Sequence, residues 1–249
     1  MQFVAAKDGV RLAWEAKGEG QPVVLIHGFA SSREQNWGTT GWIDRLVREG
    51  FRVLGFDCRG HGKSDKPHEI AAYGEHMVTD VLTVMNAAEM PVADVVGYSM
   101  GAMLAIRLLM EYPERVRRAS VSGIGATYFA DDRAWRERVA EALLIGDFES
   151  IADPVARRFR VFASQAGKDR VALAACIRSP RHRYTSAELK QSKRPVLVVA
   201  GENDDLTGPP APLADAFADG RAVVLPGKDH MTAVGDPAHK RAVVEFLID

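Results

Sequence analysis

Apolar positions along the chain fall into short aliphatic runs separated by longer stretches of helical period. Val23–Ile26, Arg52–Phe56, Asp94–Val96, Arg118–Val121, Val196–Ala200 and Ala222–Leu225 are brief, rich in Val, Ile and Leu, and bounded by Gly, Pro or Asp. Such runs predict buried strands, the state of a largely parallel sheet with helices on both faces. Ahead of them, Phe3–Ala6 and Val10–Glu15 flank Asp8-Gly9, a tight-turn dipeptide, and predict a hairpin.

Helical patterns fill the gaps. Trp42–Glu49 precedes Gly50, a C-cap residue type. In Tyr73–Ala88 the apolar residues Met77, Val78, Val81, Leu82 and Met85 form a stripe of period 3.6. Met100–Tyr112 is apolar on most sides until Pro113 stops it, which suits a helix packed deep against a sheet. Asp236-Pro237 reads as an N-cap followed by a first-turn proline, opening a last helix to Leu247. From about Ala126 to Ser192 the strand signal vanishes, and the segment reads as mainly helical. The expected organisation is an α/β core of residues 1–125 and 193–249 with a helical cap, 126–192, inserted between two strands.

Composition narrows the possible functions. The 249 residues are 47% hydrophobic and 26% charged, as in an ordinary folded protein. A net charge of −1 gives the molecule as a whole no electrostatic pull toward nucleic acid or an anionic membrane. The opening MQFVAAKDGV has no basic leader or sustained apolar stretch, and no run approaches the ~18 apolar residues of a membrane span. A cytoplasmic protein without membrane attachment is expected. Only Cys58 and Cys176 are present, far apart in sequence, and a reduced state is the simplest expectation. Charge is unevenly spread, however. Between Arg157 and Arg194 stand 11 arginines and lysines against Asp169 and Glu188 alone. The ordinary reading is a solvated surface. A sharper one is attraction of an anionic substrate, such as an ester bearing a free carboxylate.

The candidate chemistry centres on Gly97-Tyr98-Ser99-Met100-Gly101, between a buried strand and the apolar helix. A G-x-S-x-G at that junction presents a serine on a sharp turn, with flanking glycines that let strand and helix approach closely. A serine hydroxyl needs an adjacent base. Of the histidines at 27, 61, 68, 76, 182, 230 and 239, His230 sits best, in the loop Pro226–His230 between the last strand and the last helix. The base needs a carboxylate to fix its tautomer. Strand Val196–Ala200 ends in Gly201-Glu202-Asn203-Asp204-Asp205, at the sheet edge where catalytic groups gather. Asp204 is favoured, and Asp205 is expected to be a turn or capping residue. An oxyanion hole would use the backbone N–H groups of Met100 and of Phe29, in His27-Gly28-Phe29 after strand Val23–Ile26. His27 is read as orienting that loop. Candidate pocket walls are Tyr98, Tyr128, Phe129, Trp135, Phe159 and Phe162, and the long loop Ala30–Gly41 lies beside the presumed site. No zinc spacing, phosphate loop or dinucleotide fingerprint is present, so no metal or organic cofactor is expected.

Together LIHGF (25–29), FDCRGHGKSD (56–65), GYSMG (97–101), EYPERV (111–116), GENDD (201–205) and PGKDH (226–230) resemble the α/β-hydrolase superfamily in order and spacing. The resemblance spans nearly the whole chain except the cap. It implies an eight-stranded sheet with its first pairing antiparallel, and a triad in the order Ser99, Asp204, His230. It also implies that the acid stands three residues after Gly201. Asp57, Arg59 and His61 would then belong to a structural loop. Dehalogenases and soluble epoxide hydrolases of this fold use an aspartate nucleophile, so Ser99 speaks against both. The expectation is a serine esterase acting on a small-molecule ester, with a lactonase, a carbon–carbon bond hydrolase, a cofactor-free perhydrolase or a hydroxynitrile lyase as enzymatic alternatives. A slow-turnover ligand receptor is the alternative of another class.

Overall fold

A computed structural model describes all residues 1–249. Eight strands form one sheet: β1 (Gln2–Ala5), β2 (Arg11–Lys17), β3 (Gln21–Ile26), β4 (Phe51–Phe56), β5 (Ala93–Tyr98), β6 (Val116–Ser122), β7 (Val196–Gly201) and β8 (Gly220–Leu225). Their order is β1-β2-β4-β3-β5-β6-β7-β8. The hairpin β1–β2 and the pair β2–β4 are antiparallel, and every later pairing is parallel. From β3 the chain steps to β4 on one side and then crosses to β5 on the other. The loops leaving β3 and β5 therefore diverge, and a crevice opens at the carboxyl ends of these two strands.

The helices are α1 (Trp42–Arg48), α2 (Glu75–Ala87), α3 (Met100–Glu111), α4 (Arg133–Leu144), α5 (Pro154–Phe162), α6 (Arg170–Arg178), α7 (Ser186–Leu189), α8 (Ala211–Ala214) and α9 (Pro237–Ile248). The two-residue period of a strand divides them between layers. Val24 and Ile26 of β3 join α2 and α3 in the larger core cluster. Val23 and Leu25 join Trp42 and Leu46 of α1 and Val243 and Leu247 of α9 on the opposite face. No helix is long and apolar enough to cross a membrane.

Two expectations need correction. Ala222–Leu225 is not a buried strand: β8 pairs only with β7 at the sheet edge, and Val224 is 51% exposed. The helix expected from Tyr73 begins at Glu75, because Gly74 at φ +65° breaks the path before it. Between β6 and β7 the chain is helical, with α4 packed on α5 and α6. Val139, Leu143, Leu173 and Ile177 of these helices share a core cluster with Leu104 and Leu108 of α3. That shared core seats the segment against the side of the sheet where α3 begins.

Candidate active site

Close backbone approach shapes the strand–helix turn at Ser99. Ser99 sits at φ +54°, ψ −111°, a left-handed conformation that L-residues rarely hold and that costs about 1–3 kcal/mol. Its N–H is anchored to the Ser122 carbonyl at 2.8 Å. The flanking glycines have no room for a side chain. A Cβ at Gly97 would lie 2.2 Å from the Gly101 carbonyl oxygen, and one at Gly101 would lie 2.0 Å from that of Ile26. Glycine at both positions lets α3 start directly against β3 and β5, with its free N–H groups and positive end at the serine.

The acid and the base arrive on loops that are tied to one another. Gly201 lies so near the base loop that a Cβ there would meet the Lys228 oxygen at 2.2 Å. The Asn203 N–H bonds to that same oxygen at 2.9 Å, and Glu202 Oε2 accepts from the Gly227 N–H at 2.7 Å. The Tyr98 hydroxyl donates to the His230 carbonyl at 2.6 Å, which fixes the base loop to the end of β5. Burial holds the Tyr98 phenol well above its usual pKa, so it remains a donor. His230 Nδ1 is 2.8 Å from Asp204 Oδ2, and Nε2 is 3.0 Å from Ser99 Oγ. The Asp204 side chain is fully buried and accepts a further bond from the Leu206 N–H at 3.1 Å. A buried carboxylate is an acceptor only, so the imidazole proton belongs on Nδ1 and Nε2 faces the hydroxyl as acceptor.

His27, Gly28 and Phe29 lie beside the nucleophile. His27 Nε2 accepts from the Cys58 N–H at 3.0 Å, so Nδ1 carries the proton and donates to the Gly28 carbonyl at 2.8 Å. Burial lowers the His27 pKa, in keeping with this neutral tautomer. A trans peptide points its N–H opposite its C=O, so tying down the Gly28 carbonyl turns the Phe29 N–H the other way. Neither the Phe29 nor the Met100 N–H has a hydrogen-bond partner in the protein. Asn36 Oδ1 takes the Gly28 N–H at 2.9 Å, a supporting contact that no sequence pattern announced. Ala30, two residues beyond Gly28, is also left-handed at φ +59°.

Asp57, Arg59 and His61 lie behind this loop rather than in the crevice. Asp57 accepts from the Arg33 and Lys63 N–H groups at 2.7 and 2.8 Å. Arg59 bridges Asp80 and Asp8, each at 2.6 Å. His61 is pressed edge-on against Phe29, and burial drops its pKa to about 3. Cys58 and Cys176 are both buried free thiols.

Two chambers of about 360 and 810 Å³ meet at the triad and share Phe29, Ser99, Phe159 and His230. Tyr128 and Trp135 line the smaller, Tyr98 and Phe162 the larger, and Phe159 both. Phe129 lines neither and drops out as a pocket wall: it is 42% exposed and stacks edge-on outside Tyr128. Asp205 is a turn residue, as expected, in the turn closed by the Gly208 N–H on the Asp204 carbonyl at 3.2 Å. It also pairs with Arg158 of α5 at 3.3 Å and joins the helical segment to the crevice rim. The basic run also changes character in three dimensions. Arg157 pairs with Glu149, Arg178 with Glu137 at 2.6 Å, and Arg183 with Asp132, so acids from before the run answer three of its arginines.

Comparison with known proteins matches this geometry to a family. The family described as alpha/beta hydrolase fold matches residues 21–144. Bifunctional epoxide hydrolase 2 of Sus scrofa is 38% identical over 117 residues, 46% of this chain and 20% of that protein. The chain thus spans a fifth of that relative's length. The 2-hydroxy-6-oxo-2,4-heptadienoate hydrolase of Pseudomonas putida is 26% identical over 205 residues, 75% of this chain and 73% of that one. Among solved structures, the enol-lactonase from Burkholderia xenovorans LB400 superposes with a TM-score of 0.81 at 25% identity, covering 100% of both chains.

Proposed function

The chain belongs to the α/β-hydrolase superfamily, and on that premise we propose that it is a serine hydrolase cleaving carboxylic esters of small molecules. One observation carries the reading: the hydroxyl, imidazole and carboxylate of Ser99, His230 and Asp204 stand in series at 3.0 and 2.8 Å, on three separate loops. His230 Nε2 takes the Ser99 proton as Oγ attacks the ester carbonyl. The Phe29 and Met100 N–H groups stabilise the tetrahedral oxyanion, and Asp204 stabilises the transient imidazolium. His230 then protonates the departing alcohol and activates water against the acyl-enzyme. None of these steps calls on a metal or organic cofactor. In this reading residues 126–192 act as a cap, and Tyr128, Trp135, Phe159 and Phe162 shape the substrate pocket.

A lactonase is the second reading, favoured by full-length similarity to the enol-lactonase. The steps are unchanged except that the leaving alcohol stays tethered to the acyl group. Although the epoxide hydrolases are similar over part of the chain, residue 99 is serine and supports acyl transfer. Rates on p-nitrophenyl esters of graded acyl length, set beside lactones and vinylogous diketones, separate these readings. The ester proposal fails if wild-type protein turns over no ester, or if Ser99→Ala leaves the rate unchanged.

A further inference from the structure

Among the charged side chains lining the smaller chamber, all but one are answered by an opposite charge. Asp131 is held by Arg133 at 2.6 Å, Asp132 by Arg136 at 2.9 Å and also by Arg183, and Asp205 by Arg158 at 3.3 Å. Arg181 is the exception. No carboxylate lies within ion-pair distance of it, and its one polar contact is Nη1 against the Met103 thioether at 3.8 Å. It shares the chamber with Ser99, and the chamber's apolar lining includes Met100, Met103, Ile124 and Ile177.

A guanidinium stays charged and has five donors to satisfy, and a thioether is a weak acceptor. Arg181 is half-buried, and partial withdrawal of a guanidinium from water without a partner carries a cost that binding an anion offsets. Nothing else nearby serves. Burial pushes the Cys176 thiol up to about 12, so it is neutral, and Asp132 is already shared by two arginines. The planar guanidinium fork fits a carboxylate in bidentate fashion.

We propose that Arg181 is a recognition site for a carboxylate on the substrate, in the chamber beside Ser99. It rests on the ester-hydrolase reading. The preferred ester is therefore a monoanion, with its free carboxylate in the smaller chamber and its other half in the larger one. Of the arginines in the 157–194 run that line the two chambers, Arg157, Arg158 and Arg183 are paired with acids, and Arg181 is the one guanidinium left for a ligand.

Two matched pairs of esters test this. The first is p-nitrophenyl hydrogen glutarate against p-nitrophenyl methyl glutarate, which places the charge on the acyl side. The second is 4-carboxyphenyl butyrate against its methyl ester, which places it on the alcohol side. Wild-type protein should favour the carboxylate form in at least one pair by about tenfold or more in kcat/KM, chiefly through KM. Arg181→Met should abolish that preference, Arg181→Lys should keep part of it, and Arg178→Gln, which removes a charge already paired to Glu137, should preserve it. The proposal is overturned if neither pair shows a preference, if the preference survives Arg181→Met, or if Arg178→Gln removes it equally. Should Arg181→Met fail to fold, an unchanged preference in Arg181→Lys and in Arg181→Gln overturns it as well. If no ester is cleaved at all, the hydrolase reading falls separately. Calorimetric titration of glutarate then judges the subsite: binding weakened at least tenfold by the Arg181 substitution supports it, and absent or unaffected binding rejects it.

Discussion

The sheet edge that carries Ser99 and the helical segment 126–192 above it are built on different physics. At the edge, backbones approach so closely that Gly97, Gly101 and Gly201 admit no side chain, and Ser99 is held in a strained conformation. The helical segment packs its apolar side chains into the core it shares with α3, but its outer faces are joined by ion pairs such as Arg178–Glu137 and Arg138–Asp153, both partly exposed. Dense packing fixes atoms to fractions of an ångström, whereas exposed ion pairs contribute little and are screened by salt. Positional precision for the reacting atoms therefore resides in the sheet, and chamber shape and charge reside in the helices.

The largest expected effects lie at the sheet edge. Ser99→Ala or His230→Ala should lower kcat for a cleaved ester by about 10⁴–10⁶, measured by steady-state kinetics on a homogeneous preparation. Asp204→Asn should cost about 10³–10⁴, since an amide cannot hold the imidazole in its working tautomer. Asp205→Asn, at the helical side of the same loop, should stay within about fivefold. Equal losses at the two positions would erase the distinction between an edge that does chemistry and a segment that shapes access.

Stability should divide along the same line. Gly101→Ala places a methyl 2.0 Å from the Ile26 carbonyl, so denaturant unfolding should show a loss of about 3 kcal/mol or more. Below that come the buried imidazoles. Burial lowers the His61 pKa to about 3 and that of His239 to about 4, against about 6.5 in an unfolded chain. The unfolded state then binds more protons, so the stability these groups contribute is complete above pH ~6.5 and is lost as pH falls toward their folded values. At pH 5 each should cost on the order of 1–2 kcal/mol, and His239→Gln should flatten the dependence of Tm on pH. Smallest of all, Arg178→Gln should change stability by less than about 1 kcal/mol, and less still in high salt. A larger loss would mean that the helical segment depends on its ion pairs as the sheet depends on its glycines.

Much of the sheet edge was legible because its information is local. A strand, a turn glycine and a polar residue beside it announce Ser99, the His27–Phe29 loop and the acid loop within a few residues. Choosing between Asp204 and Asp205 rested on family spacing; in space, Arg158 draws Asp205 away while Asp204 turns under the imidazole. Phe129 falls outside the pocket because consecutive residues of a short helical turn point in different directions: Tyr128 is buried while Phe129 is exposed against its outer edge. The burial of β8 was overestimated because a run of aliphatic residues does not reveal that the strand has a neighbour on one side only.

By itself the sequence determined the alternation of strands and helices, the three chemical groups and the turn that exposes one of them, since each depends on residue type over a short span. Tertiary structure alone decided which charges cancel and which do not. Arg183 and Arg178 find acids some 40 to 50 residues away, and Arg181, from the same run, finds none. Electrostatic pairing follows distance in space rather than along the chain, so a count over a sequence window could not identify the one guanidinium left facing the cavity.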